Sequence, residues 1–468
     1  MSSITNRRIR HKINTKLPQH LQRTNQQHSK PKNTPLFTAT TLPHSLRALG
    51  SPNFRRYYVG QTVSQIGSWM QAVAIMWLTY RLTNSPAATG TIGFLALIPF
   101  LFATPFAGAL SDRVSRKKLL MVVQVILFLL ASLLASLTWM GYMTFPLLGV
   151  FAFCHGILSA VEVTTRHSFF AELIEDRADL PNAIALNSAS INGTRLIGPA
   201  IGGVLIAAVG EAACFGINAI TYLAVVIQLT RITPVRHTYV PSGKSLMADM
   251  AEGWHVAYKS PIIWPLVLIV GVVSFTINPY SILMPAIAVE TFGRGAELHG
   301  IFVSAVGVGA LAGAIMLARR SSVRGLSRWV QSTAALAAVG AIGFAIASLY
   351  KNLPLAALMM AVTGLGIMGT SACVNTIIQT VVTDRQRGRV VSVYSTFFAG
   401  AAPLGHLTAG WLAAKIGAPQ AYLVLGIICA LGAVVFAFNL KNLQHHLRAA
   451  YVESGIIETA ENAKGIEK

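Results

Sequence analysis

The sequence is poor in acid. Only 16 of its 468 residues are Asp or Glu, and charged residues of both signs make up 11%, against about 25% in an ordinary soluble domain. Cysteine is scarce too. Cys154, Cys214, Cys373 and Cys429 each fall alone in an apolar stretch, with none of the spacings of a disulfide framework or a metal site. A Walker-type phosphate loop is missing, and the glycine clusters sit in apolar stretches, where they read as packing surfaces. No enzymatic constellation, metal or cofactor is expected. The first residues are basic, rich in Ser, Thr, Asn and Gln, and lack an apolar run before Tyr57. A secretory signal peptide is therefore not expected. Residues 1–52 read as a disordered tail that buries too little apolar surface to fold alone, with basic side chains suited to anionic lipid headgroups.

What is abundant is apolar sequence: 53% of residues are hydrophobic. Runs of about 18 or more apolar residues are long enough to span a bilayer as helices. Twelve such spans are expected, centred near Met70, Leu97, Leu129, Phe153, Ile197, Ala224, Val273, Val308, Leu336, Leu365, Phe398 and Ile428. A series of that kind has no soluble explanation. The expected fold class is an all-α membrane protein.

The net charge of +21 would by itself suggest a nucleic-acid partner, but its distribution argues otherwise. Loops after the even-numbered spans hold 17 Lys and Arg, whereas loops after the odd ones hold only Arg81, Arg294, Lys351 and Lys415. Cytoplasmic loops collect Lys and Arg, so both termini and the even loops are expected in the cytoplasm. Basicity here is a topology signal, and no nucleic acid is expected.

The longest internal loop divides the chain into two halves. The expected domains are a bundle of six spans over 53–231, a cytoplasmic loop over 232–261, a second bundle over 262–440, and a cytoplasmic tail over 441–468. Within the loop, Leu246, Met250, Trp254 and Tyr258 recur at helical spacing and predict an amphipathic surface helix. A weak repeat supports the two halves: Gly203-Val-Leu-Ile-Ala-Ala-Val-Gly210 at the end of span 5 parallels Gly410-Trp-Leu-Ala-Ala-Lys-Ile-Gly417 at the end of span 11.

The sharpest motif joins spans 2 and 3: Gly108-Ala-Leu-Ser-Asp112-Arg113-Val-Ser-Arg116-Lys117-Lys118. It resembles the major facilitator signature loop Gly-x-Leu-x-Asp-Arg-x-Gly-Arg-Lys, with Ser115 in place of the second Gly, so the turn is expected to be less permissive. The resemblance implies two pseudo-symmetric six-helix bundles and a cytoplasmic latch. Gly108 would allow close helix approach. Asp112 would face the positive N-terminal end of span 11. Arg116 would pair with an acid at the end of span 4, read here as Glu162, with Arg166 one turn away.

A narrower resemblance covers about residues 46–438. It rests on Gly60-Gln61-Thr62 through Gln71 in span 1, Arg166-His167-Ser168-Phe169-Phe170 after span 4, and Pro181-Asn182-Ala183 before span 5. These residues resemble the branch that holds enterobactin exporters, macrolide efflux pumps and lysophospholipid transporters. Span 5 adds Gly198-Pro199-Ala-Ile-Gly202-Gly203, which is similar to an exporter motif of the superfamily. Pro199 removes a backbone hydrogen bond and the glycines offer a smooth face for packing.

Candidate pathway residues follow. Arg195 lies near mid-bilayer, where a charged side chain costs roughly 2.5–3.5 kcal/mol and usually faces a cavity. It suits an anionic substrate held by paired hydrogen bonds, or a group whose proton affinity it lowers. His155 is expected level with it and able to carry a proton, and His406 is a similar candidate. Gln61, Gln65 and Trp69 in span 1, Asn278 and Tyr280 around Pro279 in span 7, and Asn375 and Gln379 in span 10 belong to the spans that the resemblance places along the pathway. The expected function is secondary active export of an amphipathic small molecule, a siderophore, macrolide or other drug, by proton antiport in the inner membrane. Uptake or flipping of a lipid-like molecule or iron-loaded siderophore is one alternative. A membrane sensor that moves nothing is another. Membrane lipids and protons are the expected partners.

Overall fold

The computed structural model describes residues 43–453 except 175, 234–245 and 321, and leaves aside a few further side chains, that of Asp112 among them. The described residues form α1 (Pro52–Thr83), α2 (Pro86–Arg113), α3 (Arg116–Trp139), α4 (Phe145–Phe170), α5 (Leu180–Val209), α6 (Glu211–Thr230), α7 (Leu246–Lys259), α8 (Ile263–Thr276), α9 (Tyr280–Ala286), α10 (Ala296–Ala318), α11 (Leu326–Leu349), α12 (Leu353–Val381), α13 (Asp384–Ile416) and α14 (Ala418–Glu453). Spans 1–6 are α1–α6. Span 7 is α8, α9 and the π turn Ile287–Thr291 together, and spans 8–12 are α10–α14. Strands are absent among the described residues.

Eleven of these twelve are apolar enough to cross a bilayer by composition alone. The exception, α1, is 32 residues long but carries a polar face. The face is spent inside the first half: Asn218 Nδ2 donates to Gln71 Oε1 at 2.8 Å, and Gln61 Nε2 to Glu162 Oε1 at 3.4 Å. A bilayer demands internal partners for polar groups, and α1 has them.

Helix starts follow local chemistry. Proline opens α1 and α2, where its missing N–H costs nothing. Ser115 caps α3, its hydroxyl accepting from Lys118 N, with φ −58°. The turn needs no left-handed residue there, so serine in the glycine position acts as a cap rather than as a stiffer hinge. Span 7 breaks at Ile277–Pro279, between α8 and α9, because Pro279 cannot continue the hydrogen-bond ladder.

The helices alternate between two ends. At the terminal end, which carries both described chain ends, Arg56 donates to the Arg231 carbonyl and Lys117 to that of Ile232. At the far end, Arg81 Nε pairs with Glu211 Oε1 at 2.7 Å, tying the end of α1 to the start of α6.

Two expected boundaries shift, and one expected face. The tail drawn over 1–52 reaches a folded segment sooner: His44–Gly50 form a 3-10 turn, Ala48 N donates to Asn182 Oδ1 at 2.9 Å, and Arg47 pairs with Asp179 at 2.7 Å. Residues 1–42 lie outside the described part. At the other end α14 runs through 440 to Glu453, with Leu443, Leu447 and Tyr451 buried. Helix α7 is present, but the stripe predicted to be its apolar face is not the buried one. Trp254 is 39% and Tyr258 68% exposed, while Ala257 is fully buried. A Cβ on Gly253 would lie 2.8 Å from the Arg389 carbonyl oxygen of α13, so the closest approach is made by small residues, while the Trp254 ring packs tilted against Phe397 of α13, centroids 5.6 Å apart, and stays partly exposed. Leu246 and Met250 lie among the side chains outside the described part.

Candidate functional site

A cavity of about 330 Å³ lies between the two halves at the depth of the break in span 7. That is within the size range of small-molecule sites. The break turns Asn278, Tyr280 and Ser281 toward it, α1 supplies Trp69, and α5 supplies Arg195. Arg195 Nη2 donates to Tyr280 Oη at 3.4 Å, and the guanidinium lies 5.6 Å from the Trp69 ring centroid. The Nε of Arg195 has no hydrogen-bond partner. From the second half come His406 of α13 and His299 of α10. Neither nitrogen of either imidazole makes a hydrogen bond. The backbone of Gly93 and Asn278 approaches the His406 ring without reaching hydrogen-bond geometry. The rest of the wall is apolar and aromatic, including Met76, Phe100, Val303 and Phe398.

Five of the residues expected on the pathway thus meet: Trp69, Arg195, Asn278, Tyr280 and His406. Five others do not line this cavity. His155 points into the first half, with Nε2 3.4 Å from Tyr222 Oη and Nδ1 3.4 Å from Ser159 Oγ. It does not share a space with Arg195. Gln61 bonds to Glu162, and Gln65 accepts from Thr194 at 3.3 Å. Gln379 donates to Asn375 at 3.1 Å near the terminal end of α12. His299 is the member that sequence reasoning missed. It sits three residues into α10 and stacks on Trp77 with centroids 6.4 Å apart. In the sequence it stands in an apolar span beside Gly300, with no motif to mark it.

Above the cavity the halves close on glycine. A Cβ on Gly203 would lie 2.7 Å from the Ala296 carbonyl oxygen and 3.0 Å from Gly300 Cα. A Cβ on Gly410 would lie 2.6 Å from the Pro86 carbonyl oxygen and 2.7 Å from Gly90 Cα. The two seams, α5 on α10 and α13 on α2, are copies of each other. The repeat Gly203–Gly210 and Gly410–Gly417 is the sequence trace of that symmetry. The rest of the span-5 motif divides between the first half and this seam. Gly198 and Gly202 let α5 lie on Trp69 and Met70 of α1, and the Pro199 carbonyl meets Gly300. Tyr80 donating to Glu290 closes the same end.

The terminal end carries the signature loop. Arg116 pairs with Glu172 at 2.7 Å, not with the expected Glu162. Glu172 lies in the turn after α4, level with the start of α3, whereas Glu162 is ten residues back along the chain, roughly 15 Å at the helical rise. Glu162 is held by Arg166 at 3.3 Å and by Gln61. Arg113 is exposed. A Cβ on Gly108 would meet nothing within 4 Å. The Asp112 side chain lies outside the described residues.

Comparison with known proteins accords with this architecture. The family described as transmembrane secretion effector matches residues 44–459. The staphyloferrin A transporter of Staphylococcus aureus is 23% identical over 388 residues, covering 81% of this chain and 94% of that protein. The multidrug efflux pump Tap of Mycobacterium tuberculosis is 28% identical over 380 residues, covering 78% and 88%. Among solved structures, a bacterial homologue of the human lysosomal transporter Spinster superposes with TM-score 0.65 at 14% identity, covering 86% of this chain and 98% of that one. The D-xylose–proton symporter gives 0.58 at 15% identity, covering 81% and 97%. With the described residues forming twelve spans in two glycine-seamed halves around a shared cavity, the chain belongs to the transmembrane secretion effector family of major facilitator transporters and is a membrane transporter, not an enzyme.

Proposed function

We propose that this transporter exports an amphipathic small molecule, such as a siderophore, macrolide or other drug-like compound, across the inner membrane by alternating access and proton antiport. Both termini are cytoplasmic in this reading, as the Lys and Arg distribution favours. The observation that carries it is the cavity shared by both halves, roofed at the far end by two glycine seams, while Gly108 at the terminal end of α2 has open space around it. Such a geometry suits a carrier facing the cytoplasm. Closing that side would bring Gly108 against a neighbour and engage Asp112, Arg113, Arg116 and Lys117 as a latch. Imidazole side chains exchange protons near neutral pH, and His299 and His406 line the cavity. A relative named for staphyloferrin A and another named for multidrug efflux support a small-molecule substrate.

The test has two parts. Reporter fusions at Lys468 and Lys351 should fall on opposite membrane faces, with Lys468 cytoplasmic. Everted vesicles with an acid interior should accumulate a fluorescent amphiphile, and a protonophore should abolish the accumulation. Accumulation only in right-side-out vesicles would replace export by uptake. Binding without movement in either orientation would leave a sensor.

A further inference from the structure

The cavity wall is unbalanced in charge. Three basic side chains reach it, Arg195, His299 and His406, and among the described residues no carboxylate lines it. Glu290, on the π turn that ends span 7, accepts from Tyr80 in the far-end closure. Arg195 makes no ion pair among the described residues; its one described hydrogen bond goes to a neutral phenol. A guanidinium held at mid-membrane depth without a counter-ion is costly. Its cost falls when an anion enters. The two imidazoles add to this. Both are buried and neither nitrogen is used, and unmet donors in a low-dielectric site are worth most to a ligand that meets them.

We infer that the cavity selects for an acid: an amphipathic ligand with an aromatic or aliphatic body and at least one carboxylate, bound by Arg195 with His299 and His406 beside it. This rests on the transport reading for its purpose, but not for its chemistry. Trp69 and Phe100 supply the surface for the ligand's body, Trp69 already lying beneath the guanidinium. The planar fork of Arg195 matches a carboxylate in two hydrogen bonds. The placement of the imidazoles also ties ligand to gate. His299 precedes the seam residue Gly300, and the His406 carbonyl oxygen is the atom that a Cβ on Gly90 would meet at 2.7 Å. A ligand that draws either ring toward itself therefore pulls on a far-end seam.

The experiment uses the full chain in phosphatidylcholine nanodiscs and three matched probes: 1-pyrenebutyrate, its methyl ester, and 1-pyrenebutylammonium. Binding is read by tryptophan-to-pyrene energy transfer. The acid should bind at least tenfold tighter than either other probe. Arg195→Gln should erase that preference while leaving the ester's affinity within twofold, which also shows that the variant is folded. Arg195→Lys, which keeps the charge and loses the fork, should keep a reduced preference. His299→Gln and His406→Gln should each lower it severalfold. Equal or tighter binding of the ester or the ammonium by the parent overturns the inference, as does a full acid preference in Arg195→Gln. Vesicle transport of the same probes separates the two readings. An ester carried as well as the acid sinks the charge preference and leaves transport standing. An acid preference in binding without movement of any probe sinks transport and leaves the site standing.

Discussion

The two ends of the α2–α13 pair are built on different principles. At the far end the helices meet backbone to backbone, Gly90 on Gly410, with no room for a methyl group. Toward the terminal end the same two helices carry Gly108 and Gly388, and a Cβ on either would meet nothing within 4 Å. Charged side chains do the holding there instead, largely within one half: Arg116 to Glu172, Arg166 to Glu162, Lys117 to the carbonyls that end α6. Glycine contact is short-ranged and all or none, since a gap of about an ångström already forfeits much of the dispersion energy. Ion pairs tolerate displacement. A seal that must be either shut or open is served by the first, and a hinge that must stay assembled in both states by the second.

Removing one charge from the buried pair should have the largest effect. Glu162→Gln leaves the Arg166 guanidinium, 14% exposed, without its acid. Breaking a buried pair from one side costs about 3 kcal/mol. The unfolding midpoint of the purified protein should fall clearly, with Arg166→Gln in the same chain recovering part of it. A parental midpoint in Glu162→Gln would show that the pair holds nothing.

Next comes the seam. Gly410→Ala puts a methyl group 2.6 Å from the Pro86 carbonyl oxygen. Overpacking of this kind costs about 1–3 kcal/mol, which shifts a two-state equilibrium roughly 5- to 150-fold. The far end should open, a cysteine placed at Tyr80 should become more reactive to a membrane-impermeant maleimide, and turnover should drop. Gly203→Ala should do the same through the matching seam. Unchanged labelling and turnover in both would break the comparison.

The smallest effect in this conformation, and the sharpest contrast, belongs to Gly108→Ala. The site is open, so the unfolding midpoint should stay within about 0.5 kcal/mol of the parent, as for an unconstrained surface position. Turnover should nonetheless fall if the proposed closed state brings α2 against a neighbour. A variant that transports normally would show that Gly108 is never a contact, and the asymmetry between the ends would then be permanent rather than a stage of the cycle.

Hydropathy alone determined the spans. In a bilayer every backbone polar group needs an internal partner, so long apolar runs have little choice but helix, and the loop charges order those helices by end. Even α1, too polar to qualify by composition, was legible from its place in the series. Arg195 was legible as well, because a charge in a membrane span has to face something other than lipid. Pro279 marked the break that opens Asn278 and Tyr280 to the cavity. Rotation and depth were decided only by packing. Helical spacing tells which residues share a face, but not which neighbour that face meets. His155 therefore ended against Tyr222 while His299, unremarked among apolar residues, reached the cavity. Arg116 took Glu172 because the turn after α4 returns to the start of α3, a geometry set by how α3 lies on α4 and not by the distance between acids along the chain. The seams needed the tertiary structure most: a glycine is only an absence of side chain, and what that absence admits is fixed by the helix that crosses it.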